Sequence, residues 1–501
     1  GDIPVLNIYI DKNILFRGEI APTSIRALGA RVLIKNNHET KPNTSEFYRL
    51  FLNLSNEGKL KYLKDIELEN LKVEIENNYF TKSALKTESN IKLQRDAEGI
   101  SGKILLSQIN GEASSTLELD ADYNTLSKEI SLEADFDQMR VGPLASLIEE
   151  LGPLEFFDLP FSGSISLSIP LENKFASIKF NLVGGKGVIT LPTLISDPTE
   201  VSSVRLLGSF TQDTKVTNVK SLEINFPEKT EVRLTKSSNH KFPIKNLHMS
   251  ASYDGEQGLL EIGNLGVNLQ GPRISLSGIV SGFHDRVNLN GELNLGVAAF
   301  NVNELNKYWP EEVSRPVRLW VLSNISEGVI NNLWLKTRFS FEEDTGIDFA
   351  ILTGSAKIVG ANFQYVSSMP KVHDVDANLN FSSENFTASL ISGKSKGLEI
   401  QGSKISVRQL SSKNQIVEAD LKIKSNLSKQ LEYLSKSDIQ VNLESYFDTK
   451  ELSGHAETNI LLSLPLNNHG GLGQIEFAAT SKLDKIVPNF VYWHIHKFEF
   501  C

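Results

Sequence analysis

Strict two-residue alternation of apolar and polar side chains recurs along most of this chain, and it restricts the possible folds more than any other feature. Such alternation marks a strand with one face turned from water and the other solvated. Ile130, Leu132, Ala134 and Phe136 alternate with Ser131, Glu133 and Asp135. Ile165, Leu167 and Ile169 alternate with Ser164, Ser166 and Ser168. Val287, Leu289, Gly291, Leu293 and Leu295 alternate with Asn288, Asn290, Glu292 and Asn294. Val375, Ala377, Leu379 and Phe381 repeat the pattern, as do Ile439, Val441 and Leu443, and Ile460, Leu462 and Leu464. Turn signals such as Asn110-Gly111, Gly184-Gly185, Asp254-Gly255 and Gly470-Gly471 separate the runs. Short turns between alternating strands predict antiparallel meanders.

Length then narrows the architecture. Strands recurring about every 10–12 residues would number on the order of 35–40, more than one sandwich or small barrel holds. No Pro/Gly/Ser-rich linker separates independent domains among the 501 residues. The fold class expected is therefore mainly β: a long curled antiparallel sheet forming an extended open hydrophobic groove, with a few short helices. Strands of about 6–8 residues would make it roughly 20–27 Å wide, and the stacked strands would run on the order of 150 Å. Stacked sandwiches or a β-solenoid remain alternatives, because alternation does not say what covers the apolar face. The side chains expected to line the groove are Ile130, Leu132, Phe136, Ile165, Leu167, Ile169, Val287, Leu289, Leu293, Leu295, Val375, Leu379, Phe381, Ile439, Val441, Ile460 and Leu462.

Helical pattern is confined to three stretches. Pro143–Leu151 carries Leu144, Leu147, Ile148 and Leu151 on one stripe. Val302–Asn324 is interrupted by Pro310, expected at a helix start, and by Pro316, expected to break or kink it. Leu427–Lys436 is the third. A weak internal echo links Gly187–Leu191, Asp197-Pro198 and Val204–Phe210 with Gly354–Ile358, Met369-Pro370 and Val375–Phe381.

Composition excludes several function classes. A net charge of −10 without a basic tract is unsuited to nucleic acid. The single Cys501 permits no intrachain disulfide and no Cys-rich zinc site, and it leaves the compartment open. No apolar run reaches the roughly 18 residues of a membrane helix. The opening Gly1-Asp2 and the alternation running into Cys501 read as an excised piece of a longer protein.

Catalytic and metal-binding patterns are weak. His494 and His496 would share one strand face but lack a third ligand at motif spacing. His373, Asp374 and Asp376 read as a solvated strand face rather than an acid/base cluster. Gly184–Gly187 lacks the strand-to-helix context of a phosphate loop and reads as a turn. Glu149 and Glu150 do not face each other on a helix. Trp309 and Trp320 read as packing of a short helix on the sheet. No enzyme activity, metal or cofactor is expected.

One set of motifs resembles a known family. Tyr308-Trp309-Pro310, Arg318-Leu319-Trp320-Val321, Asn324–Val329 and Gly354–Tyr365, with Met369-Pro370 and Val375, resemble the AsmA-like superfamily, of the YhdP and TamB type. Leu159–Ser164 followed by the Gly187 strand and Pro198 fits the same pattern. The resemblance is most specific over 300–410, suggestive over 155–300 and thin before 140. It implies bacterial envelope proteins with an inner-membrane anchor, here not present in the chain, and a long periplasmic β-groove. It also implies phospholipid transport between the two membranes, in the manner of a bridge-like lipid transfer protein.

On this reading residues 1–140 are an N-terminal groove segment, 141–300 a groove segment opening on a short helix, 301–410 an AsmA-like core, and 411–501 a truncated C-terminal β segment. The expected partners are phospholipid acyl chains, membranes reached through segments outside the chain, and other envelope proteins. The physical case is independent of the resemblance. Exposing an acyl chain costs about 0.8 kcal/mol per CH₂, so one of roughly 16 carbons faces a barrier of about 12 kcal/mol that a continuous apolar trough removes. A non-catalytic envelope scaffold or assembly factor for outer-membrane proteins, and a carbohydrate-active β-solenoid, are the competing readings.

Overall fold

The computed structural model describes residues 2–36, 62–77, 85–107, 115–140, 156–170, 177–191, 195–233, 240–283, 288–311, 315–342, 346–364, 370–410, 412, 415–435, 453–466 and 476–487. These form two compact units, residues 1–236 with 243–267, and residues 237–242 with 268–501. Thirty strands and four short α-helices occur among the described residues. The strands are longer than the turn spacing predicts: Asn288–Asn301 and Val329–Glu342 have 14 residues each and Gly346–Phe363 has 18. At about 3.3 Å per residue a strand of 11–14 residues spans roughly 36–46 Å, well beyond the width expected from sequence.

In the first unit an antiparallel meander runs through Asp65–Asn77, Leu85–Arg95, Gly99–Ser107, Thr116–Asn124, Glu129–Arg140, Pro160–Pro170, Ser177–Gly184, Ser203–Thr211 and Val216–Asn225. It is not antiparallel throughout. Pro22–Leu28 and Arg31–Asn36 both pair with Asp65–Asn77 in parallel, so the sheet is mixed. A parallel pair needs a crossover of a dozen or more residues, and residues 37–64 supply that length.

In the second unit the meander runs from Arg273–Ser281 through Asn288–Asn301, Val329–Glu342, Gly346–Phe363, Val372–Ser382 and Asn385–Ser395. It continues through Lys404–Arg408, Gln415–Asn426, Ser453–Leu466 and Glu476–Val487.

Long strands keep their apolar side chains on one face by means of bulges. Wherever two polar residues interrupt the alternation, the register slips and the phase is restored. Leu68 and Leu71 flank Asn70 at φ 53°, Phe136 and Met139 flank Gln138 at φ 49°, and Val372 and Val375 flank Asp374 at φ 54°. Register shifts fall at each of these sites. Inserting one residue with a left-handed backbone turns the next apolar side chain back to its former side. Asp374, which sequence places on a solvated strand face, is therefore also a bulge residue.

The helices differ in part from expectation. Leu305–Tyr308 and Arg315–Asn324 occupy the second predicted stretch, and Leu427–Ser435 the third. Pro310 does not start a helix; it follows Trp309, whose extended backbone ends the first one. Pro316 neither breaks nor kinks a helix, because it sits in the first turn, where a missing N–H costs nothing. The Pro143–Leu151 stretch lies outside the described residues. No described helix is long and apolar enough to cross a membrane.

Candidate functional site: an apolar sheet face

Because neighbouring strands pair in register, the apolar positions of successive strands fall into rows running across the sheet. In the first unit one row passes through Ile66, Leu93, Gly102, Ala121, Leu132, Leu167, Ile178 and Phe210. In the second unit a row passes through Leu276, Leu295, Leu335, Gly354, Phe381, Phe386, Val407 and Val417. Each row crosses eight strands and so extends about 34 Å at the usual strand spacing. Most of its side chains are half-buried rather than buried.

The opposite face carries charges in cross-strand pairs. Arg338 lies 3.0 Å and Lys336 3.2 Å from Glu292, Lys424 lies 2.9 Å from Glu457, and Lys103 pairs with Glu118. Hydrogen bonds from Arg338 and then Lys336 hold the Glu292 carboxyl below its ordinary range, and Lys424 does the same for Glu457. Lys103 is raised, chiefly by its hydrogen bond to Glu118. A depression of about 850 Å³ also opens on this polar side of the first unit. Its lining mixes Ser164, Ser166, Lys179 and Asn181 with Phe180, Leu207, Val219 and Ala251.

One margin of each apolar face is covered by protein. In the first unit a separate three-stranded sheet, Phe157–Asp158, Gly187–Leu191 and Ile195–Val201, packs on the main sheet. Leu159, Ile189 and Val201 are 0% exposed there, over Phe136, Phe161, Leu182 and Val204. Arg233 holds this cap through paired hydrogen bonds to Asp197, at 2.7 and 2.8 Å. The internal echo seen in sequence is thus not a structural repeat. The Gly187 strand belongs to the cap, whereas Gly354 lies in the main sheet.

In the second unit Val302 and Ile325, from the helical insertion, pack against Ile358, Val372, Val375, Ala377 and Leu390. Leu427–Ser435 extends the cover, with Tyr433 against Leu398, Ile423 and Ile460. Within it Gln430, 6% exposed, donates to the Ala456 carbonyl at 2.8 Å and accepts from Thr458.

The predicted lining residues divide by exposure. Ile130, Phe136, Leu289, Val375 and Ile460 are buried. Leu132, Ile165, Leu167, Ile169, Leu293, Leu295, Leu379, Phe381 and Leu462 are half-buried. Val287, Ile439 and Val441 lie outside the described residues. Sequence reasoning did not anticipate Arg318, only 4% exposed. Its guanidinium donates to the Trp309 carbonyl at 2.9 Å and to Asn306, clasping the loop between the two helices. Nearby, Tyr308 donates to the Gln270 carbonyl at 3.4 Å, and burial raises its hydroxyl pKa.

Weak catalytic patterns resolve into ordinary contacts. His373 Nδ1 lies 3.2 Å from the Asn362 side-chain oxygen, and Asp376 accepts from the Gly360 N–H at 2.9 Å. Gly185 donates to the Pro160 carbonyl at 2.9 Å, continuing the pairing of Ser177–Gly184 with Pro160–Pro170. His494, His496, Glu149 and Glu150 lie outside the described residues. Among the described residues no three His, Cys, Asp or Glu side chains cluster as metal ligands would.

Fold and face together define a class: extended β-sheet proteins with an apolar face running across many strands and a charged face opposite. A family model described as YhdP protein matches residues 203–481, more than half of the chain. The chain belongs to the YhdP family, a family of bacterial envelope proteins. No curated protein matches it.

Proposed function

We propose that this chain is a segment of a bridge-like lipid conduit. Its apolar face carries phospholipid acyl chains between the inner and outer membranes of a Gram-negative envelope, while headgroups stay in solvent. One observation carries the reading: apolar rows cross eight strands in each unit with their side chains half-buried. An acyl chain laid along such a row exchanges one set of apolar neighbours for an equivalent set at each step, so the cost of about 0.8 kcal/mol per exposed CH₂ never accumulates. Family membership supports the envelope setting, and on this reading the chain works in the periplasm, tethered to the inner membrane by a segment outside it. The conduit reading needs no cofactor and no catalytic group.

The competing reading, an envelope scaffold or assembly factor, draws on the cap, where protein already occupies part of the same face. Native mass spectrometry of gently purified protein separates the two. Co-purified phospholipid supports the conduit; protein free of lipid, with a polypeptide partner bound to the apolar rows, supports the scaffold.

A further inference from the structure

Gly102 and Gly354 each lie within one of the two apolar rows, and in each case a neighbouring side chain lies across the glycine. A Cβ at 354 would meet Phe381 Cζ at 2.8 Å and Leu335 Cδ2 at 2.7 Å. A Cβ at 102 would meet Leu93 Cδ2 at 2.6 Å, with the nearest backbone atom at 3.8 Å. At both positions the close contacts that bar a side chain are side-chain tips, not backbone. Gly208 and Gly291 differ, since a Cβ there would also strike the backbone carbonyls of Asn218 and Ile279. The backbone thus tolerates a side chain at 102 or 354; what the glycine preserves is the resting place of the neighbour. With the space above Gly354 free, the Phe381 ring reclines along the sheet. With it filled, the ring must stand away from the sheet, into the space above the row.

We propose that Phe381 over Gly354, and Leu93 over Gly102, are floor-setting pairs that keep the apolar face low enough for an acyl chain to pass. They are positioning residues, and the proposal rests on the conduit reading above. Since chains pass along the row one strand at a time, a single raised ring obstructs the path locally. A ring standing in the path takes the room of about two methylenes, each worth roughly a fourfold change in occupancy, so obstruction should reduce occupancy about fifteenfold.

The test labels the purified full chain with a palmitoyl phosphatidylcholine bearing a diazirine near the acyl terminus, and adducts are mapped by peptide mass spectrometry. Wild-type protein should be labelled on Val372–Ser382 and Asn385–Ser395, and also on Ser177–Gly184 in the first unit. Gly354→Leu should lower the label in the second unit about fifteenfold while the first-unit label, an internal control, stays unchanged. Adding Phe381→Ala should restore it. Gly102→Leu, with Leu93→Ala as its rescue, should show the converse pattern. If Gly354→Leu does not fold, Gly354→Ala carries the same comparison with a smaller loss, because the methyl alone displaces the ring tip. Equal labelling of the folded glycine variants and wild type, or failure of the rescue, overturns this proposal alone. Absence of label on the wild type overturns the conduit reading and this proposal with it.

Discussion

Replacing Leu167 by glutamate, beside the same change at Ile189, separates an open apolar face from a packed one. Both residues lie on apolar surfaces of the first unit, but Ile189 is 0% exposed beneath the cap while Leu167 is half-buried in the row between Leu132 and Ile178. Full burial of such a side chain is worth about 1.5–3 kcal/mol, so Leu167, half-buried, contributes about 1 kcal/mol. A carboxylate at 167 can reach water, which adds little further cost. At 189 the whole burial term is lost and an unpaired carboxylate is enclosed, so the penalty exceeds roughly 5 kcal/mol. Hydrogen-exchange mass spectrometry reads the difference locally. Leu167→Glu should speed exchange across Pro160–Pro170 by about fivefold. Ile189→Glu should release Gly187–Leu191 and Ile195–Val201 by more than about a thousandfold. If Leu167→Glu proves as damaging as Ile189→Glu, the row is a packed core and the open face does not exist.

Three further outcomes follow from the contacts described. Arg318→Leu should cost about 2–3 kcal/mol in urea unfolding of the second unit, because it removes the buried guanidinium's hydrogen bonds to the Trp309 carbonyl and to Asn306; Arg318→Lys, lacking the fork, should recover only part. Glu292 has a folded-state pKa held below its unfolded one, so its pairing with Arg338 and Lys336 stabilises above the ordinary carboxylate range and is lost as pH falls through the lower, folded value. Glu292→Gln should therefore flatten the acid-side fall in melting temperature, and added salt should mimic it, since the cluster is fully exposed. Arg233→Ala should loosen the cap slightly, seen as faster exchange in Ile195–Val201 with the main sheet unchanged.

Alternation made much of this fold legible. From Ile130 to Phe136 every apolar residue is buried or half-buried and every intervening polar one exposed, as the sequence pattern requires. Alternation reports which side of a strand avoids water but not what shields it. For that reason sequence does not tell that Gly187–Leu191 forms a cap, nor that in Pro160–Pro170 Phe161 lies beneath it while Leu167 lies in the open row. The parallel pairing of Arg31–Asn36 with Asp65–Asn77 depends on a long connection that leaves no local mark. The bulges did leave one. Two polar residues between apolar ones, as in Phe136-Asp137-Gln138-Met139, signal the slip, and Asn, Asp or Gln there accepts the left-handed backbone it requires. Arg318 stood in the family motif, but its burial gave no warning, because a buried guanidinium satisfied by a loop carbonyl looks in sequence like any surface arginine.

The central claim, that the apolar face carries phospholipid, is tested most directly by where lipid touches the chain. A photoreactive benzoylphenylalanine placed at Leu379 faces the apolar rows beside Ala356 and Ala388, whereas one at the exposed Asn378, a single residue away, faces the charged side. With the protein produced in a Gram-negative cell and irradiated there, the account predicts phospholipid adducts at 379 and none at 378. Equal labelling at both positions, or polypeptide adducts alone at 379, would contradict it.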